Sequence, residues 1–177
     1  MSKMFALPAF LKGRVTQEAY SRWLGRKAAA HVKRDRLRSL HEITGSHYRQ
    51  QIHSAVCESG GTDFYTGEPL AWEKLSTYCN EDSKAGRSAY KAGFALLPTA
   101  DHVLLEDGSY DFVICGWRTN DAKNDLCHAE FIKLCRQVIA HHENRTGAAF
   151  VERAVAGGPE PGPSNFSAAT GFGAAEE

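Results

Sequence analysis

The 177-residue chain has no long apolar run, only two methionines and six prolines, and no excess of charge in either direction, since 21 Lys and Arg balance 21 Asp and Glu. No stretch approaches the ~20 apolar residues of a membrane span, and the opening MSKMFALPAF is too short and too weakly charged to read as a secretory signal. The five cysteines, Cys57, Cys79, Cys115, Cys127 and Cys135, are odd in number and not closely paired, which argues against a disulfide framework and for buried thiols in a reducing cytoplasm. Cys127, His128, Cys135 and His141 share one segment, but their spacing suits a helix better than tetrahedral zinc.

Hydrophobic residues make up 42% of the chain, enough for one modest core. The zero net charge hides an asymmetry: residues 1 to 50 hold eleven Lys and Arg against three Asp and Glu, and the remainder holds ten against eighteen. Most of the basic charge falls between Thr16 and Arg38, which reads as a helix with Thr16 as N-cap, Glu18 in the first turn and Ala28, Ala29 and Ala30 as strong formers. Tyr20, Trp23, Leu24 and His31 fall on one face of it. Arg22, Arg26, Lys27, Lys33, Arg34, Arg36 and Arg38 then present a cationic surface suited to a phosphate backbone, a non-specific grip that weakens with salt.

Further along, Tyr48, Ile52, Ala55 and Val56 give Ser46 to Cys57 the apolar pattern of a core helix that Gly60 and Gly61 stop. The segment from Phe64 to Trp72 contains a TGEP turn, and Asn80 to Arg87 reads as a polar surface loop. Phe94 to Leu97 and His102 to Leu105 are strand-compatible, Asp107-Gly108 is a turn signal, and Phe112 to Cys115 is again β-prone, which together predict a hairpin. Arg118 to Leu126 follows as a helix capped by Thr119 or Asn120, with Asn120 and Asn124 one turn apart on the same face. Apolar residues between His128 and His142 predict an amphipathic helix on the same core, and the Gly, Pro, Ser and Ala content beyond Val155 predicts a disordered tail. The expected organisation is a basic arm over 1–44, a folded domain over 45–146 and a low-complexity tail over 147–177.

The chemistry concentrates in this hairpin and helix. Asp101 and Asn120 carry hard oxygen donors of the kind Mg²⁺ or Mn²⁺ takes, and the neighbouring His102, with an unperturbed pKa of about 6.5, suits proton abstraction from water.

This Asp101-His102 pair followed by Asn120-x-x-Lys123 resembles the HNH endonucleases of the ββα-metal superfamily. The resemblance spans roughly Tyr48 to His142 and is densest from Leu96 to Leu126. It implies an α+β fold in which a ββα-metal hairpin and helix are surrounded by further helices. It makes Asp101 and Asn120 metal ligands, Asn124 a second helical ligand position, and His102 the general base. Arg118 and Lys123 fall near the phosphate, where either can offset charge on the leaving group. Asp111, nine residues before Asn120, falls on the central position, which is normally an Asn that braces the His. The segment DFYTGEPLAW lacks the paired CxxC cysteines that hold structural zinc in many members. The implied activity is metal-dependent hydrolysis of double-stranded DNA, with Mg²⁺ as the expected metal and Mn²⁺ possible, leaving a 5′ phosphate. The alternative is a DNA-binding or assembly module that keeps the fold without catalysis.

Overall fold

A computed structural model describes residues 5–37, 44–104 and 110–155. Arg38, the Asp107-Gly108 turn and the chain beyond Val155 lie outside the described residues. The fold is α+β: five α-helices among the described residues and one two-stranded antiparallel sheet.

The first helix, α1 (Gln17–Leu37), starts where the Thr16 hydroxyl accepts from the Ala19 N–H at 3.1 Å. Its stripe of Tyr20, Trp23, Leu24, Ala28, His31 and Val32 is buried against α2 (Gly45–Ser59), which contributes Tyr48, Ile52, Ala55 and Val56. Gly60 closes α2 at φ 56°, in the left-handed region that Gly occupies at no steric cost.

Strands β1 (Pro98–Leu104) and β2 (Tyr110–Gly116) form the hairpin, with Asp101 opposite Val113 and His102 opposite Phe112. Because side chains alternate along a strand, one face carries Ala100, His102, Phe112 and Ile114 and the other carries Asp101, Val103, Asp111 and Val113. The first face completes the core with α1 and α2, where Phe112 packs on His31 and Tyr48. The second receives α4 (Trp117–Lys123), which follows β2 without a linker.

Several expectations need correction. Asn80 to Arg87 is not a loop but part of α3 (Asn80–Ala92); Glu81 and Asp82 in its first turn and Lys91 in its last complement the helix dipole, which outweighs the polar composition. Phe94 to Leu97 is not strand but successive turns, whose carbonyls accept from other segments: Ala95 from the Arg118 N–H, Leu96 from Ala71 and Leu97 from Trp117. Those bonds satisfy the first N–H groups of α4, so that helix begins at Trp117 without the side-chain cap expected from Thr119 or Asn120.

The final helix, α5, runs His128–Val155, beyond the expected end at His142 and through the first residues assigned to the tail. At its start Phe131 packs on Tyr65, while Leu134, Val138 and Ile139 are 44%, 61% and 55% exposed. Residues 1–132 and 133–177 are two separate compact units. The five cysteines are free thiols, and of them only Cys115 is fully buried. Among the described residues no helix is long and apolar enough to cross a membrane.

Candidate functional site

Strand alternation sends Asp101 and His102, adjacent in sequence, to opposite faces of the hairpin. Asp101 is buried at 7% exposure and meets two donors: the Tyr65 hydroxyl donates to Oδ2 at 2.7 Å, and the Lys123 ammonium lies 3.1 Å from Oδ2 and 3.4 Å from Oδ1. Lys123 is itself buried, so the pair is a desolvated salt bridge. Burial and the hydrogen bond to Asp101 push the Tyr65 phenol far above its ordinary range, keeping it a neutral donor.

On the other face His102 stacks on Phe112, with ring centroids 4.7 Å apart and 9° between planes. Its Nδ1 lies 3.7 Å from Oδ2 of Asp35, a carboxylate buried on α1 that also accepts from the Tyr48 hydroxyl at 2.7 Å. That separation exceeds a direct hydrogen bond. His31 beside it is different in kind. Its Nε2 lies 3.2 Å from the Ala100 carbonyl and its Nδ1 2.6 Å from Arg34, the pattern of a neutral ring that donates once and accepts once. Burial, then Arg34, pull its pKa down to about 3.

The two faces meet in a cavity of about 230 Å³ lined by Asp101, His102, Arg34, Lys123, Asn124, Asp125 and His128. Arg34 comes from the basic helix and His128 from the start of α5. A candidate base, two cations, two carboxylates and a second histidine therefore surround one space.

The other expected site residues are divided between this cavity and other places. Asn120 lines a different cavity, with Lys27, Thr99 and Trp117. Asn124 does reach the Asp101 cavity, but the helix stops at Lys123 and Asn124 caps it at φ 51°, so it is not one turn above Asn120 on a continuing helix. Asp111 accepts from its neighbour's N–H, Phe112, at 2.8 Å, a local bond on the face opposite His102. Arg118 is half-exposed and paired with Glu68. Of the cations on α1, Arg22, Arg26, Lys33, Arg34 and Arg36 are exposed and Lys27 is half-buried.

The Lys123 ammonium already sits on the Asp101 carboxylate, Asn120 lines another cavity, and among the described residues no three His, Cys, Asp or Glu groups converge on a point.

Three residues that sequence reasoning missed shape the site. Asp35 lies in register with Tyr20, Leu24, Ala28 and His31, so a carboxylate on the apolar stripe was a legible sign of a buried partner. Tyr65 gave no local sign. Asp63, 1% exposed, accepts from the Tyr65 and Thr66 N–H groups through Oδ1 (2.8 and 3.1 Å). Its Oδ2 accepts from the Gly116 N–H (2.6 Å) and the Thr119 hydroxyl (2.8 Å). It ties the 63–67 turn to the junction of β2 and α4, the region where the CxxC cysteines are lacking. Only Gly fits at that junction without displacement, because a Cβ on Gly116 would stand 3.1 Å from the Asp63 carboxylate and 3.0 Å from the Ala95 carbonyl.

Comparison of the chain with family models, with curated proteins and with solved structures finds no match.

Proposed function

We propose that this chain is a DNA endonuclease of the HNH type, hydrolysing phosphodiester bonds with His102 as general base. The supporting observation is the cavity in which His102 and the Asp101–Lys123 pair meet Arg34 and His128. His102 takes a proton from water, the water oxygen bonds to phosphorus, and the bond from phosphorus to the 3′ oxygen breaks, that oxygen taking a proton from solvent. Arg34 and Lys123 offset the charge that builds on the phosphoryl oxygens. Asp35 faces the His102 ring from α1, with Oδ2 at 3.7 Å from Nδ1. The exposed cations of α1 hold the duplex backbone.

The second reading, a DNA-binding module without catalysis, is favoured by one observation: Lys123 occupies the carboxylate that the HNH resemblance gives to a metal.

A plasmid nicking assay run in EDTA, Mg²⁺ and Mn²⁺ separates the two. Wild type is expected to nick, and His102→Ala and the more conservative His102→Gln to lose roughly a hundredfold or more of that activity. Equal nicking by the variants removes His102 from the chemistry. DNA binding without nicking in all three buffers selects the binding module. Nicking that survives EDTA is expected if Lys123 is the working cation, and a strict Mg²⁺ or Mn²⁺ requirement returns that role to a metal.

A further inference from the structure

A second cleft, beside Lys27 of α1, has none of the Asp101 or His102 chemistry. It has a volume of about 440 Å³, within the ~300–1,000 Å³ of small-ligand sites, and Lys27, Tyr78, Thr99, Trp117 and Asn120 line it. It runs into a neighbouring hollow of about 320 Å³ that shares Lys27 and Tyr78 and adds Arg26.

Its walls combine two kinds of group. Tyr78 stands edge-on to Trp117, centroids 5.0 Å apart at 79°, and is held from its other sides by Tyr90 and Phe94 at 5.5 and 5.2 Å, while both Tyr78 and Trp117 line the cleft. The same cleft is lined by a cation, Lys27. The Lys27 ammonium donates to the Thr99 hydroxyl at 2.7 Å, and no carboxylate among the described residues lies within 4 Å of it. Burial pulls its pKa down to about 8, the mark of an ammonium that a bound anion would stabilise. Arg26 closes the neighbouring hollow by donating to Ser76 at 3.3 Å, and Ser76 holds a left-handed φ of 68°, a strained conformation for a residue other than Gly.

A base binds by stacking on aromatic rings and by hydrogen bonds at its polar edge, and its phosphate binds a cation. We infer that this cleft takes one unpaired nucleotide, its base against Trp117 and Tyr78, its polar edge toward the Asn120 carboxamide and the Thr99 hydroxyl, and its phosphate on Lys27 and Arg26. The inference rests on the nucleic-acid part of the proposed function and sharpens its substrate class. The preferred DNA carries a single-stranded, flapped or distorted position, with one nucleotide drawn out beside the strand held by the Asp101 cavity.

Trp117 is the partly exposed tryptophan of three, since Trp23 and Trp72 are buried, so intrinsic fluorescence reports on this cleft. The full chain is titrated in EDTA with a short oligothymidylate, with a duplex of the same length and with inorganic phosphate. Binding to Trp117→Leu, Asn120→Ala and Lys27→Met is followed by anisotropy of the labelled oligonucleotide. The single strand is expected to quench the emission, the duplex to quench it little, and each variant to bind the single strand roughly five- to a hundredfold more weakly. Circular dichroism confirms that each variant folds, and Asn120→Ala, at a half-exposed position, serves if Trp117→Leu does not. Equal quenching by duplex, saturation of the quench by phosphate alone, or unchanged binding by Asn120→Ala and Lys27→Met overturns the inference. Duplex binding with Trp117 silent overturns this site and leaves the endonuclease reading standing. No binding to any DNA removes both.

Discussion

His31 and His102 sit with ring centroids 5.7 Å apart and have opposite surroundings. His102 faces the Asp35 carboxylate, whereas His31 is desolvated and held neutral between Arg34 and the Ala100 carbonyl. The consequence for stability has a definite sign. With a folded pKa of about 3 against 6.5 for the free ring, His31 binds its proton more readily in the unfolded chain. Its contribution is therefore complete above about pH 6.5 and is lost as pH falls toward 3, at no more than about 1.4 kcal/mol per pH unit. Urea unfolding at pH 7 and pH 5 is expected to show His31→Gln losing less stability on acidification than wild type; an equal loss would mean that His31 titrates alike in both states. The candidate base and the motif around it were readable because they are a local string. Asp35 was legible as a buried carboxylate, but its partner was not, and Tyr65 gave no sign, since both roles depend on which segments the fold brings to positions 101 and 102.

At the level of secondary structure, α1, α2 and the hairpin follow from patterns the chain carries locally: a Thr N-cap, glycines after α2, and β-prone runs on either side of a turn. The junction of β2 with α4 does not. Its helix has no side-chain cap, and its first N–H groups are satisfied by the carbonyls of Ala95 and Leu97, while Asp63 takes the Gly116 N–H and the Thr119 hydroxyl. Asp63→Ala leaves these buried donors and two turn N–H groups without an acceptor, and is expected to cost at least about 3 kcal/mol in urea unfolding. Asp63→Asn, which keeps an acceptor oxygen, should cost less than Asp63→Ala. A loss under 1 kcal/mol for Asp63→Ala would show that water replaces the carboxylate. The end of α4 was misread for a related reason. Asn120 and Asn124 share a face only if the helix continues, and it stops at Lys123 with Asn124 at positive φ.

Taken together, the elements of the first unit divide the cations of α1 into two sets. Arg22, Lys33 and Arg36 fall along one side at helical spacing, while Lys27 and Arg34, seven residues apart, fall along another, where they reach the two cavities, and Arg26 lines the hollow beside Lys27. If the outer set grips the backbone, Arg22→Gln and Lys33→Gln should each weaken binding to DNA of any sequence alike and lower the slope of log affinity against log salt by about 1. A slope unchanged in the double variant would place the DNA on another surface. The amino-acid order sufficed for the α+β class, the basic helix and the Asp101-His102 string, because capping, periodicity and alternation act over a few neighbouring residues. Which groups share a cavity was decided by packing. Alternation turns Asp101 and His102 to opposite faces, the helix end carries Lys123 onto Asp101, and Asn120 is left to a cleft with Lys27 and Trp117, because these are contacts between segments far apart in the chain and no local pattern encodes them.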